Sequence, residues 1–444
     1  MKKIIKKIFP KNILNLLHLF FALWGSVKYN HSSEELLVIG ITGTAGKSSV
    51  IHFLRQVLEF VGFKVGSLST VDFYINGQLK LNDKKMTMVG KYFIQEKLRE
   101  MVKVGCNVAI VETTSEGFLQ HRHKFINYDT IVLTNLYPEH IEAHGGFENY
   151  KKAKLGIFEY VSKCRKKNCH AEFISASPGI LKQVQDDIAK TAIVNGSSGY
   201  ANEFLNFNFE NKIKFIAKNV EATKIGLNFV VEDEQYFAPI YGAHNAENLA
   251  GVIAVVKSLN INEEKIKQAI SQIKSPPGRI EFINEAEEQG FQVIVDYAFE
   301  PVALQKLYDV VDVIKPNGKI IHVCGSTGGG RDKARREPIG KLVGEKSNIF
   351  IITDEDPYNE DPQEIMEAVK VGALKSGKIE GQDLFMILKR EEAIKKAIEL
   401  ARPGDLVLIT GKGSEQKMCV AGGNMIDWDD REIVKKFICL SKRK

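Results

Sequence analysis

Leu36 to Ser49 read LLVIGITGTAGKSS, and the fold turns on these residues. An unbroken apolar run of this length, rich in branched side chains, reads as a strand buried on both faces. The turn Gly43-Thr44-Ala45-Gly46 follows at once, and Lys47-Ser48-Ser49 opens a stretch with helical spacing from about Ser48. Strand, glycine turn and a helix start carrying Lys-Ser are the context of a phosphate-binding loop. Backbone N–H groups at the helix start would hold phosphate oxygens, Lys47 would neutralise the β and γ phosphates, and Ser48 would reach magnesium. Gly43, Thr44, Ala45, Gly46, Lys47, Ser48 and Ser49 are therefore expected to bind a nucleotide. The bland alternative, a glycine turn before a helix, seldom carries Lys-Ser in this register. Counted from Gly40, the loop departs by one residue from the common form.

Outward from this point, short apolar runs keep alternating with helical stretches: NVAIVE, TIVLTN, then a helix through Tyr150 to Tyr160. Such alternation implies a parallel sheet covered on both faces. Glu112 closes NVAIVE, and His140 follows TIVLTN through a short loop, so both lie at carboxyl ends of strands, where ligands of open α/β sheets collect. Either would complete a Mg²⁺ site with Ser48 and phosphate oxygens. Alone, a strand glutamate or a loop histidine is more often structural; the phosphate loop beside them reverses that balance.

Lys163 to Lys190 breaks the rhythm and reads as an insertion or a surface excursion; an insertion here is expected either to lower stability or to mark a decayed copy. Asn245 to Leu259 and Glu263 to Ile273 read as helices, and Ser275-Pro276-Pro277-Gly278 as a hinge. A second alternating series runs through FQVIVDY, GKIIHVCG, SNIFIITD and DLVLITG, giving a second α/β domain. The expected division is a leader over 1–35, a nucleotide-binding domain over 36–275 and a C-terminal domain over 276–444.

The chain has 444 residues, 44% hydrophobic and 26% charged, an ordinary globular balance. Its net charge of +6 is concentrated at the start: Lys2, Lys3, Lys6, Lys7, Lys11 and Lys28 all precede the first acid, Glu34. No basic clustering marks the body, so nucleic acid is not the expected partner. Six scattered cysteines suit a reducing compartment, and Cys164, Cys169 and His170 lack the second pair a zinc site needs. Ile13 to Val27 (ILNLLHLFFALWGSV) is too short and too interrupted to span a bilayer comfortably. Two readings remain for residues 1–27, peripheral contact with an anionic membrane surface or a helix packed on the body of the protein.

TNLYPEHIEAHGGFENYKKAKLGIF, with GTAGKSS, VETTSEGFLQHR, YGAHNAENLAG, PPGRIEF, VDYAFEP, GGGRDKARREP and GKGSE, resembles the Mur ligases, and most closely their tripeptide-synthetase branch. The matches run in order through residues 36 to 432. The resemblance implies a central P-loop parallel-sheet ATPase domain followed by a Rossmann-like C-terminal α/β domain. It further implies a cytoplasmic, monomeric, ATP-dependent amide ligase using Mg²⁺. Its substrates would be a UDP-MurNAc-peptide and an amino acid, joined through an acyl phosphate.

By the same resemblance, Ser48 and Glu112 hold one magnesium, and His140 and a carbamylated Lys154 serve a second. Thr114, Ser115, Gln120 and Arg122 contact the acceptor; Asn248 and Arg279 contact the nucleotide, with Asp296 on the ribose. Arg331, Asp356, Gly411 and Glu415 bind the incoming amino acid, Glu415 through its α-amine. The bland alternative for Arg331, Asp332, Lys333 and Arg336 is a solvated charged helix start.

Three departures bear on these expectations. About 35 residues precede the first strand where the family has a full uridine-binding domain. The family's Asp-Asn-Pro-Arg is replaced by Glu355-Asp356-Pro357-Tyr358, and tyrosine cannot supply the arginine fork for a far carboxylate. An amine-ended side chain such as lysine suits these acids as well. Ser414, Phe299 and Ala45 replace two histidines and an asparagine. Two other readings share the ATPase core: a folylpolyglutamate or cyanophycin type of ligase, and an inactive membrane-associated nucleotide-binding scaffold.

Overall fold

A computed structural model describes residues 11–82, 88–138, 144–167, 189–329, 333–420, 422 and 424–441, with side chains from residue 16 to residue 440. The decisive run forms β1 (Leu37–Thr42), every residue of which is buried. Alternate residues of β1 face opposite ways. Leu37, Ile39 and Ile41 enter one apolar core and Val38 enters the other, so the strand must be apolar throughout.

Before β1 comes a helix, α1 (Lys11–Lys28). After it come α2 (Lys47–Phe60), β2 (Val65–Leu68), the hairpin β3 (Asp72–Ile75) and β4 (Gln78–Leu81), and α3 (Lys91–Lys103). They are followed by β5 (Val108–Glu112), the short α4 (Ser115–Leu119), β6 (Thr130–Leu133) and α5 (Phe147–Ser162). Then come β7 (Thr191–Asn195), β8 (Asn211–Phe215), β9 (Lys218–Thr223), β10 (Gly226–Val231) and β11 (Glu234–Ala238). Helices α6 (His244–Ser258) and α7 (Glu263–Ile270) close this part, α7 ending three residues before the expected Ile273.

The first sheet has the order β4-β3-β2-β5-β1-β6-β7-β8. Strands β2, β5, β1, β6, β7 and β8 are mutually parallel, and the β3–β4 hairpin adds an antiparallel edge. Helices α2 and α6 cover one face, α3 and α5 the other. The sheet β11-β10-β9 contributes Leu227, Phe229 and Tyr236 to the α2–α6 side.

Asp129, fully buried just before β6, is a fixed point of this part. It accepts hydrogen bonds from the ammonium groups of both Lys167 and Lys190 (2.9 Å for Lys190), and its Oδ2 also accepts from the backbone N–H of Val38. Lys167 donates further to the carbonyls of Leu36 and Asn127. Two lysines of the expected insertion are thereby tied to one carboxylate; residues 168–188, including Cys169 and His170, lie outside the described residues.

The chain divides into two compact units, one of residues 1–221 and 226–274, the other of 222–225 and 275–444. The second has a sheet ordered β12-β13-β17-β14-β15-β16, from β12 (Glu281–Phe282), β13 (Gln292–Asp296), β14 (Ile320–Cys324), β15 (Ile349–Ile352), β16 (Leu384–Met386) and β17 (Leu406–Thr410). All but β12 run parallel to their neighbours. The helices α8 (Pro301–Ile314), α9 (Arg336–Lys346), α10 (Pro362–Lys375), α11 (Arg390–Leu400) and α12 (Asp430–Ser441) complete it. The two strand series fall where the alternation of apolar runs put them.

Helix α1 packs on α3 through its inner face. Ala22, Gly25 and Ser26 are buried, and Tyr92 of α3 meets Trp24 and Tyr29 at ring distances of 5.4 and 5.3 Å. Leu16, Phe20, Leu23 and Val27, spaced by three and four, face outward and are exposed. Among the described residues no helix is long and apolar enough to cross a membrane.

Candidate active site

The loop Gly43–Gly46 joins β1 to α2 at the carboxyl edge of the first sheet. Gly46 caps α2 with φ +78°, a conformation that L side chains avoid, and a Cβ there would lie 2.3 Å from Asn248 Oδ1. Asn248, expected at the nucleotide, thus stands directly against the loop from α6, steadied by a bond to Asn245 Oδ1 (2.9 Å). Lys47 lies across the loop, its ammonium donating to the carbonyls of Gly43 (3.1 Å) and Thr44 (2.8 Å). Ser48 and Ser49 fall in the first turn of α2, where free backbone N–H groups and the helix dipole favour anions.

Ser48 Oγ donates to Glu112 Oε2 (3.1 Å), so two residues far apart in sequence meet at one edge. The same oxygen accepts from Thr70 twice, through its N–H (2.6 Å) and its Oγ1 (2.9 Å). Burial raises the pKa of the Glu112 carboxyl, while Lys47, Thr70 and Ser48 pull it back down. A carboxylate and a hydroxyl at this spacing are the hard oxygen donors that Mg²⁺ selects, and phosphate oxygens and water would complete its shell. Among the described residues no group of three or more His, Cys, Asp or Glu could hold a metal by itself.

Lys154, on α5, is buried beneath the loop. Its ammonium donates to the Gly43 carbonyl (2.7 Å) and lies 4.6 Å from the ring centre of Tyr150. His140 lies outside the described residues.

Two residues not singled out in the sequence shape the site. Asn135 brackets Ala45, its Oδ1 accepting from the Ala45 N–H (2.8 Å) and its Nδ2 donating to the Ala45 carbonyl (3.1 Å). Thr70 fixes Glu112. The signal for Asn135 was its place directly after the TIVLT strand; Thr70 carried none.

The expected acceptor residues cluster on and after α4. Thr114 caps α4 through Oγ1, which accepts from the Gly117 N–H (3.0 Å), and Ser115 Oγ meets His144 Nε2 (3.2 Å). Gln120 bridges Glu116 (2.8 Å) and Arg122 (2.6 Å), and Arg122 also donates to the Met88 carbonyl.

In the second unit, Asp296 is buried and its two oxygens accept from the N–H groups of Ile280 and Ala298, both at 2.7 Å. Burial pushes its pKa up, against the pull of Arg279. Arg279 stacks 4.4 Å from the Tyr297 ring centre, and Tyr297 donates to Glu415 Oε1 (3.1 Å).

The acids expected to meet the amino acid are engaged with Lys412. That buried ammonium lies 2.9 Å from Asp356 Oδ2 and also pairs with Glu415. Burial works to lower its pKa, but Glu415 and Asp356 outweigh it and hold the pKa raised. Asp356 Oδ1 accepts from the Cys419 N–H (2.6 Å). Both Asp356 oxygens are thus committed within the protein, a role the sequence did not suggest.

Gly411, with φ +107°, lets Glu355 Oε2 sit 2.0 Å from where a Cβ would stand. Glu355 is buried, and its pKa is pushed up to about 7 by that burial. Lys333 and Arg336 share Glu360 at 3.1 and 2.9 Å; Arg331 and Asp332 lie outside the described residues.

The chain matches the Mur ligase middle domain over residues 41–256 and the Mur ligase, glutamate ligase domain over 278–413. It is 34% identical over 437 residues to a UDP-N-acetylmuramyl-tripeptide synthetase of Borreliella afzelii (strain PKo), covering 94% of this chain and 80% of that protein. It is 30% identical over 421 residues to UDP-N-acetylmuramoyl-L-alanyl-D-glutamate-2,6-diaminopimelate ligase 1 of Clostridium acetobutylicum, covering 94% and 81%. A solved UDP-N-acetylmuramoyl-L-alanyl-D-glutamate-2,6-diaminopimelate ligase superposes with TM-score 0.60 at 22% identity, over 92% of this chain and 79% of that one. A folylpolyglutamate synthase of Mycobacterium tuberculosis shares the fold at TM-score 0.61 and 15% identity, over 88% and 91%. With the phosphate loop, the Ser48–Glu112 pair and these matches, the chain belongs to the Mur ligase family.

Proposed function

We propose that this protein is a cytoplasmic ATP-dependent ligase that adds an amino acid to a UDP-MurNAc-peptide of peptidoglycan synthesis, releasing ADP and phosphate. The observation that carries this reading is the meeting of Lys47, Ser48 and Glu112 at the carboxyl edge of the first sheet. An acceptor carboxylate oxygen attacks the γ-phosphorus of ATP and ADP leaves, giving an acyl phosphate. The amine of the incoming amino acid then attacks the acyl carbon, loses a proton and expels phosphate.

Both reactants are anions, so charge must be screened where they meet. Lys47 and the N–H groups of the loop do this for the phosphates. Mg²⁺, held by Ser48 and Glu112, would neutralise further phosphate charge. Lys154, carbamylated, and His140 are the proposed second ligand set. Asn248, Arg279 and Asp296 are proposed at the nucleotide, and Thr114, Ser115, Gln120 and Arg122 at the acceptor. Arg331, Asp356, Gly411 and Glu415 are proposed to serve the incoming amino acid. The protein is proposed to act as a monomer, which light scattering tests.

The deciding experiment measures ADP release with ATP, Mg²⁺ and UDP-MurNAc-L-Ala-D-Glu against lysine, diaminopimelate and ornithine. Stimulation by one of them is expected. AMP and pyrophosphate as products, or turnover indifferent to amino acid, would overturn the reading.

Residues 1–27 are proposed to touch an anionic membrane surface. The outward stripe of Leu16, Phe20, Leu23 and Val27 supports this, with the lysines at either end of the leader. Leu16→Asp with Phe20→Asp is expected to release the protein from phosphatidylglycerol vesicles; undiminished sedimentation with them would refute it.

A further inference from the structure

The inner face of α1 does more than pack. One turn before Ala22 it brings His18 Nδ1 into contact with the ammonium of Lys91, the first residue of α3. Arg122, which follows α4, also reaches this point, its guanidinium donating to the carbonyl of Met88, three residues before Lys91. Two elements distant in sequence therefore converge on the start of α3, and each of the three brings a nitrogen-bearing side chain to it.

The arrangement is costly for the protein alone. A helix start is already positive, so a lysine there adds like charge to like. Burial and the nearby Arg122 together hold the Lys91 pKa down to about 8. His121 has its pKa lowered by burial and by Lys124 and Lys91. Among the described residues the acid that acts on Arg122 is Glu116, which is itself bonded to Gln120. Since Lys91 donates to it, His18 accepts through Nδ1 and carries its proton on Nε2. Half-buried cations gathered where the backbone is also electropositive call for an oxyanion.

We propose that His18 and Lys91 join Arg122 in holding an oxyanion of the acceptor, which makes α1 part of the substrate site. The proposal rests on the ligase reading and on Arg122 as an acceptor residue. It goes beyond that reading by giving the leader helix a role in binding. An acceptor of this class offers two such groups, its diphosphate and its peptide carboxylates, and the shared chemistry is oxyanion recognition.

The test is calorimetric titration of the full chain with UDP-MurNAc-L-Ala-D-Glu. Lys91→Met is expected to raise Kd about tenfold and His18→Phe about threefold, the scale of losing one charge-assisted hydrogen bond or a weaker one. Lys91→Arg, which keeps the charge but not its compact ammonium, should lose less affinity than Lys91→Met, and affinity for a non-hydrolysable ATP analogue should not change. The Tm of Lys91→Met should be equal to or above that of the parent, because an unfavourably placed cation is gone.

Repeating the titration with UDP alone and with N-acetylmuramoyl-L-Ala-D-Glu assigns the oxyanion: the probe that Lys91→Met weakens carries it. Unchanged acceptor affinity in a folded Lys91→Met variant overturns the proposal while leaving the ligase reading intact. Failure of the parent chain to bind the acceptor would instead remove the ligase reading, and this inference with it.

Discussion

Glu112 is aimed by its neighbours. Three hydrogen bonds converge on its Oε2, two of them from Thr70. Thr70→Val removes one and leaves the backbone bond, so the carboxylate should wander without unfolding the site. Its Mg²⁺ requirement for ADP release is expected to rise about fivefold, roughly 1 kcal/mol of lost orientation, with Thr70→Ser near the parent. An unchanged Mg²⁺ titration would deny Thr70 this role.

Glu355 makes the second residue-scale prediction. Among the described residues its buried Oε2 has no hydrogen-bond partner, and its pKa stands at about 7 against an ordinary 4.5. Between those values the folded chain keeps a proton that the unfolded chain has lost, so the group's contribution to stability falls as pH rises from 4.5 to 7. Above pH 7 the loss is complete. Glu355→Gln should therefore stabilise the protein at pH 8 by up to about 3 kcal/mol, from 1.36 kcal/mol per pKa unit, and by little at pH 4. Denaturant titrations at the two pH values check this; equal gains at both would refute it. Glu112 was legible because it closes an apolar strand beside a phosphate loop. Thr70 was not, since a lone threonine after a strand has no spacing to single it out, and its role exists only once β2 and β5 lie side by side.

At the scale of elements, α2 is tied to the β3–β4 hairpin by a buried ion pair. Arg55 Nη1 lies 3.3 Å from Asp72 Oδ2, and its guanidinium stacks 4.1 Å from the Tyr74 ring centre. Asp72 Oδ1 accepts from Ser69 Oγ (3.1 Å), the residue before Thr70. The helix that starts at the phosphate loop thus also braces the turn that aims Glu112. Arg55→Met leaves a buried carboxylate uncompensated and should cost about 3–5 kcal/mol. Thermal unfolding measures this, and a loss below about 1 kcal/mol would show the pair to be incidental.

Helix α1 shows where sequence reading stops at this scale. Its apolar run and basic flank were plain, and so were the two readings of it, but which face would be inner depended on α3. Only the packed structure separates Ala22, Gly25 and Ser26 from Leu16, Phe20 and Leu23.

The whole molecule has separate apolar cores in its two units. Calorimetry of the full chain should then resolve two transitions. A non-hydrolysable ATP analogue at a hundred times its Kd should add about 2.7 kcal/mol to the protein that binds it. Lys47→Met should abolish that gain while leaving both transitions in place without nucleotide; a gain that persists would move the phosphates elsewhere. The alternation of strands and helices had made both sheets legible, because a parallel sheet buried on two faces leaves long apolar runs. The pairing of Asp129 with Lys167 and Lys190 had not been, since two lysines at the ends of a polar stretch look like solvated surface. That pairing makes Asp129 a clasp: the stretch that leaves α5 and the stretch that enters β7 are held to one buried carboxylate beside β1, so a single side chain sets where both stand against the sheet.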